Sequence, residues 1–221
     1  MNNLTEYFEK YALVSLEKQQ KLSRLINEQF ADLDLDAGKI RFDKDLEFPF
    51  QVLGTESENT LTWLWAWAEE QTEIQQNLMN SSLELKTWGK QHELSEFFTP
   101  GIDMDRADGT MLSLIASEVC HASCYYRDQY EGGSLFILLF GETIDRQPSF
   151  DVRGMARHVS DLVARYDFNH RNALISYFRI KGLPYSENGP VVTGELATGE
   201  SIIAEFDEAG GLTMINGNEI G

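Results

Sequence analysis

Three tryptophans at alternate positions, Trp63, Trp65 and Trp67, constrain the fold of this chain more than any other feature of its sequence. Successive side chains of a β-strand point to opposite faces of the sheet, so residues two apart share a face. The alternation therefore predicts a strand over residues 60–68 with all three indoles on one side. Indoles are among the largest side chains, and a face of three needs either a cover or a ligand.

The indole face has two interpretations. It could line a pocket for an apolar or planar ligand whose polar atoms bind the indole N–H groups. It could also be the inner face of a sheet packed against a helix, because apolar stripes at strand spacing are typical of a protein core. A helix predicted over residues 3–30 supplies such a partner. The core interpretation is favoured.

Hydrophobic spacing predicts the remaining elements. Helices are predicted over residues 3–30, 70–90, 109–126, 151–166 and 170–181, and Asp108 is the expected N-cap of the third. Strands are predicted at 39–43, 46–54, 60–68, 135–140, 191–196, 201–206 and 212–215. Pro49 lacks the N–H that a β-ladder uses, which makes 46–54 an edge strand or a bulged one.

The predicted fold class is α+β, with a long N-terminal helix packed on an antiparallel Trp-rich sheet, a helical middle and a C-terminal antiparallel meander. A chain of 221 residues is long enough for one large domain. We expect a single domain over residues 1–221, because strand 135–140 needs a partner in one of the sheets. The alternative is a subdivision into 1–140, with the first helix and the Trp-rich sheet, and 141–221, with a helical pair and the meander.

Acidic residues dominate the charge. The chain has 36 Asp and Glu against 18 Lys and Arg, a net charge of −18. Such a chain repels phosphate backbones, so nucleic-acid binding is disfavoured. Residues 151–181 contain six basic and three acidic residues, whereas 182–221 contain seven acidic residues and no basic one. The basic segment either complements the acidic sheets or forms a small anion-binding patch, and the acidic surface suits a basic protein partner.

Targeting signals are not recognisable. The first residues are polar and acidic, and the longest apolar run, 135–140, is far too short to span a membrane. Cys120 and Cys124 fall in a predicted helix, at a spacing that suits neither a disulfide framework nor a complete zinc site. We expect a soluble cytoplasmic protein with two buried thiols and no membrane association.

Metal and catalytic motifs are incomplete. Asp32, Asp34 and Asp36 have the spacing of a calcium loop, but Ala37 stands where that loop needs glycine, and a strand follows instead of a helix. The sequence has neither a nucleophile elbow nor a phosphate-binding loop. We therefore expect no metal, no cofactor and no catalytic residue.

Three blocks of the sequence resemble an uncharacterised bacterial family. The first is 50–55 with the segment T-W-L-W-A-W-A at 62–68, which is similar to a T-W-x-W-A-W type segment in that family. The second comprises 112–116, Tyr125-Tyr126-Arg127 and the glycine pair before strand 135–140, and the third comprises 169–174 with 206–208. The resemblance covers about residues 1–215. It implies a domain of unknown function and transfers no catalytic residue.

The sequence favours a soluble, acidic, non-enzymatic interaction protein that binds a basic protein partner. One alternative is a small-molecule-binding protein that uses an aromatic pocket, and another is an enzyme whose site is dispersed along the chain. The candidate ligand-binding residues are Trp63, Trp65, Trp67, Tyr125, Tyr126 and Arg127.

Overall fold

A computed structural model describes residues 3–26, 31–43, 45–68 and 74–218 of the chain. Its contacts divide the chain into two compact units. The first unit comprises Met1–Leu4 and Leu22–Gln147, and the second comprises Thr5–Lys21 and Pro148–Gly221. The body of the N-terminal helix therefore belongs to the second unit, whereas the predicted subdivision grouped it with the Trp-rich sheet.

The first unit contains a seven-stranded antiparallel sheet. Its strands are β1 (Asp32–Asp34), β2 (Lys39–Asp43), β3 (Leu46–Ser57), β4 (Thr62–Trp65), β5 (Gly101–Asp103), β6 (Cys124–Tyr130) and β7 (Gly133–Leu139). The twelve-residue β3 is the centre of the sheet, because it pairs with β2, β4 and β7. The register between β3 and β7 shifts between Val52 and Gly54. β3 is thus a bulged strand in the interior of the sheet.

Helices of the first unit cover this sheet. They are α2 (Asn80–Gln91), α3 (Gly109–Val119) and the short α4 (Glu142–Asp145), with 3₁₀ turns at Gln76–Leu78 and Ser95–Phe97. As predicted, Asp108 caps α3, since its carboxylate accepts the N–H of Met111 at 2.7 Å. One sheet face holds a core of Phe48, Phe50 and Ile137 with their neighbours, and the buried Trp63 and Trp65 lie outside this core.

Several predicted elements are longer than those observed. The predicted helix 109–126 ends at Val119, because His121 takes a left-handed backbone conformation (φ 51°) that reverses the chain. Cys124 consequently begins strand β6, and the two cysteines do not share a helix. The predicted helix 3–30 is observed as α1 (Leu4–Ser23), and its predicted end at 27–30 lies outside the described residues. The predicted helix 70–90 is observed as α2 preceded by the first 3₁₀ turn, and its predicted start at 70–73 lies outside the described residues.

The second unit packs helices against a four-stranded antiparallel meander. Its helices are residues 5–21 of α1, α5 (Val152–Arg165) and α6 (His170–Lys181). Its strands are β8 (Tyr185–Asn188), β9 (Val191–Glu195), β10 (Ser201–Phe206) and β11 (Leu212–Asn218), in the order β11-β10-β9-β8. The sequence predicted the last three strands but not β8. α6 packs on β9, where Gly194 leaves room for the ring of Phe178.

The α+β class and the antiparallel arrangement of both sheets are confirmed. Within the described parts of the chain, no helix is both long enough and apolar enough to cross a membrane.

Candidate functional site

Trp63 and Trp65 lie in the interior of the first unit. Both side chains are 0% exposed, and their rings meet edge to face with centroids 5.2 Å apart. The ring of Phe136 lies 5.3 Å from that of Trp63, and Gly109 at the start of α3 lies directly against the Trp63 indole. The start of α3 therefore covers the indole of Trp63. Trp63 also borders a surface recess of about 440 Å³ near Arg106.

Trp65 and Trp67 occupy different environments although they are two residues apart. The Nε1–H of Trp65 donates to the carbonyl of Glu96 at 2.8 Å, whereas Trp67 is half-buried and lies beyond the end of β4. The chain turns after Trp65, whose carbonyl accepts the N–H of Ala68. The Trp67 ring stacks on that of Trp65 at 6.4 Å, and the ammonium of Lys86 lies 3.7 Å from its centroid. Ligand binding at the three indoles stays a prediction, and two of them are enclosed by protein.

Tyr125 and Arg127 lie on one face of β6 and Tyr126 lies on the other, because successive strand residues alternate between faces. The ring of Tyr125 stacks on Phe136 at 6.3 Å, and the Arg127 guanidinium lies 5.5 Å from the same ring. Tyr126 lies on the opposite face of β6, with its ring 5.1 Å from that of Phe42. Their part in ligand binding also stays a prediction.

A buried carboxylate that the sequence reasoning missed lies beside Arg127. Glu56 is 3% exposed, and its Oε1 accepts the N–H of Gly109 at 2.5 Å. Its Oε2 lies 3.5 Å from the guanidinium of Arg127, whose Nε donates to Ser134. The positive end of the α3 dipole and the guanidinium both favour the charged carboxylate. This arrangement fixes α3 on the sheet.

A second buried carboxylate, Glu17, joins three parts of the second unit. Glu17 is 2% exposed and accepts the hydroxyl of Tyr177 and the ammonium of Lys181, each at 2.6 Å, and the N–H of Phe150 at 3.1 Å. Burial acts to raise the pKa of Glu17, but the bonds from Lys181 and Tyr177 outweigh it and lower the pKa below its ordinary value. Burial and the adjacent carboxylate raise the pKa of Tyr177. All these hydrogen bonds are satisfied within the unit, which is typical of a structural network.

We expect two histidines to make the stability of the second unit depend on pH. Burial lowers the pKa of His158 and of His170 below the ordinary 6.5, and the Nδ1 of His170 accepts the N–H of Leu212 at 2.8 Å. The unfolded chain therefore binds protons at a higher pH than the folded chain does. Stability from both groups is fully present above about pH 6.5 and falls as the pH drops below that value.

We accordingly expect the thermal midpoint of the second unit to be lower at pH 5.5 than at pH 7.5. The variant His158→Leu removes one of these two groups. Its thermal midpoint should therefore differ less between pH 5.5 and pH 7.5 than that of the wild type. Thermal melts followed by tyrosine fluorescence and circular dichroism measure the midpoint at each pH. His121→Asn, a change at an exposed histidine of the first unit, is the matched control. An unchanged pH difference in His158→Leu would contradict the assignment of this effect to His158.

The meander of the second unit has an outer face that the register of its strands defines. Directly opposite residues on antiparallel strands share a face. Glu205 pairs with Val191 and with Met214, Ser201 with Glu195, and Ile203 with Thr193 and Asn216. The alternate residues of β10, Ile202, Ala204 and Phe206, are buried on the opposite side. We define the outer face as Val191, Thr193, Glu195, Ser201, Ile203, Glu205, Met214 and Asn216.

The outer face combines apolar side chains with carboxylates. Met214 is 40% exposed, Ile203 and Val191 are half-buried, and Glu195 is exposed. Residues 182–221 contain no Lys or Arg, so no basic side chain of the meander neutralises these carboxylates. The sequence signal for this surface was the absence of basic residues after Lys181, but it did not indicate which side chains share a face.

The described residues contain no group of three or more His, Cys, Asp or Glu side chains positioned to hold a metal ion. Asp32 and Asp34 belong to β1, and the Asp34 carboxylate accepts the N–H of Ala37 in the turn to β2. Cys120 and Cys124 are both buried and are not joined in a disulfide.

A profile described as a family of unknown function matches residues 5–142. No curated protein and no solved structure matches the chain. The profile agrees with the expectation of an uncharacterised family that the sequence resemblance gave.

Proposed function

We propose a function from the geometry, because the chain belongs to the family of unknown function DUF6882 and membership in that family assigns no activity. In this proposal the protein is a non-enzymatic interaction protein that binds a basic partner protein on the outer face of the meander. The observation that carries the proposal is a mixture of exposed and half-buried apolar and acidic side chains on one face of a sheet without a basic residue. Cationic side chains can place their alkyl stems on such apolar residues and their charges beside the carboxylates.

The register supports a specific arrangement of these groups. Glu205 lies on β10 between Val191 and Met214, and Ile203 precedes it on the same face. Glu195 lies opposite Ser201 at the other end of the face. A lysine or arginine of the partner can therefore contact a carboxylate and an apolar side chain at once. The same negative charge disfavours a nucleic-acid or an anionic membrane partner.

We also propose a cytoplasmic location. The support is that Cys120 and Cys124 are both buried as thiols and do not form the disulfides typical of secreted proteins. A fluorescent fusion of the full chain tests this proposal in cells.

The variant Glu195→Gln/Glu205→Gln tests the interaction. Immobilised wild-type protein should retain basic proteins from the lysate of its source organism at 50 mM salt and release them at 500 mM, because salt screens charge attraction. Affinity for a retained protein, measured by titration with the purified partner, should fall about tenfold in the variant, which corresponds to about 1.4 kcal/mol.

The control variant is Glu131→Gln/Glu142→Gln, which removes two exposed carboxylates from the first unit and changes the net charge equally. It should bind the partner as the wild type does. Equal weakening in both double variants would show a response to net charge alone and would contradict a site on the outer face. Failure to retain any basic protein at low salt would also overturn the proposal.

A further inference from the structure

A groove in the second unit lies between α1 and α6, and its volume is about 540 Å³. This volume falls within the range of roughly 300–1,000 Å³ that small-molecule sites occupy. The groove is separate from the outer face, because its walls are helix side chains with Glu187 of β8 at one end. Its charges and its apolar surface indicate what it can bind.

Several polar groups of the groove are already engaged. Arg171 forms an ion pair with Glu187 at 2.8 Å and donates to the carbonyl of Gly189. Glu9 accepts the N–H of Asn169 and the side-chain amide of Asn172, at 2.8 and 2.9 Å. These groups hold α1, α6 and β8 in place and have little capacity left for a ligand.

Two cations of the groove, Lys10 and Arg179, are not held in ion pairs within the described residues. Arg179 uses its Nε–H to donate to the hydroxyl of Tyr185 at 2.8 Å, which orients the guanidinium and leaves its terminal N–H groups for another acceptor. Glu6, in the first turn of α1, is the remaining acidic group of the groove and is placed to stabilise the helix N-terminus.

The groove also presents apolar surface next to these cations. Ile180 is 40% exposed, and it follows Arg179 on α6. Ile175 is 6% exposed and forms part of the wall. A charged end and an apolar wall within one groove match a ligand that is itself amphipathic.

We propose that this groove binds a small organic monoanion with an apolar body, whose carboxylate contacts Lys10 and Arg179 and whose hydrocarbon part lies on Ile175 and Ile180. A single negative charge fits better than a polyphosphate, because two cations are available and the chain as a whole carries −18. This site is independent of the outer face, and either can exist without the other.

The test is a calorimetric titration of the full chain with octanoate, with acetate and inorganic phosphate as comparison probes. Octanoate should bind saturably with a stoichiometry of one. Acetate lacks the apolar body and phosphate carries too much charge, so both should bind at least about tenfold more weakly, a difference of about 1.4 kcal/mol. Tighter binding of phosphate than of octanoate would overturn the assigned ligand class.

Variants separate the two halves of the proposed contact. Arg179→Gln and Lys10→Gln should each weaken octanoate binding about tenfold, whereas Ile180→Ser should weaken octanoate binding without changing acetate binding. Arg157→Gln is the matched control, because Arg157 is an exposed arginine of α5 in the same unit that does not line the groove. Absence of saturable octanoate binding, or equal affinities in Arg179→Gln and Arg157→Gln with native circular dichroism, would overturn the proposal.

Discussion

Replacement of Trp65 by alanine is expected to lower the free energy of unfolding by about 3–5 kcal/mol, the range found when large aromatic side chains are removed from cores. The side chain is 0% exposed and packs against the rings of Trp63 and Phe97. Alanine would leave a cavity among these rings and would leave the buried carbonyl of Glu96 without its donor. Urea unfolding followed by far-UV circular dichroism measures the change.

Two further variants define the cause of this loss. Trp65→Phe keeps a ring but removes the N–H, so it should destabilise the protein by a smaller amount, about 1–3 kcal/mol. Leu83→Ala is the surface control, because Leu83 on α2 is 37% exposed, and it should change stability by about 0.5 kcal/mol. If Trp65→Ala unfolded at the same urea concentration as Leu83→Ala, the assignment of this indole to the core would be incorrect.

Replacement of Glu17 by leucine is expected to destabilise the second unit by about 3–5 kcal/mol, the effect of breaking a buried ion pair. Leucine removes the acceptor of Tyr177, Lys181 and the N–H of Phe150 together. Because the pKa of Glu17 is lowered, its contribution is present above the ordinary value of 4.5 and is lost as the pH falls through the folded-state pKa. The difference between Glu17→Leu and wild type should therefore shrink in strong acid.

The positions of the tryptophans allow unfolding of the two units to be distinguished. All four tryptophans, at positions 63, 65, 67 and 88, belong to the first unit. Tryptophan fluorescence therefore follows the first unit alone, and a circular-dichroism transition without a tryptophan change reports unfolding of the second unit. The double variant Glu17→Leu/Lys181→Met also removes the ammonium that Glu17 bonds at 2.6 Å, so that only the more distant Lys21, at 3.9 Å, loses this carboxylate. It should therefore recover part of the loss. A Glu17→Leu protein as stable as wild type at pH 7 would contradict a network that supports the fold.

Local patterns were sufficient to predict most elements of this protein. Asp108 was identified as the N-cap of α3 because a short acceptor before an apolar run satisfies the free N–H groups of a helix. Both ends of helix α6 were predicted correctly. The residues before Gly182 have helical spacing, and Gly182 ends the helix with a φ of 64°. These features depend on neighbours within four residues, and the sequence displays them directly.

Other features required the tertiary structure. The tryptophan alternation predicted a strand through Trp67, but the strand ends at Trp65 and the chain turns there. The indole of Trp67 is instead held by stacking on Trp65 and by the ammonium of Lys86. The helix predicted through Cys124 ends at Val119, because residues 124–130 pair with β7 instead. Periodicity cannot weigh a local helix against a sheet partner that is available only in the folded chain.

The sequence by itself determined the α+β class, the positions of α5, α6 and the last three strands, and the acidic character of residues 182–221, because each depends on local spacing or on residue type. Only the tertiary structure decided that Trp63 and Trp65 are enclosed, and that Glu17 meets Tyr177 and Lys181 some 160 positions away. It also decided that Glu205 shares a face with Val191 and Met214. Burial and strand register arise from contacts between distant segments, whose geometry exists only after the chain has folded.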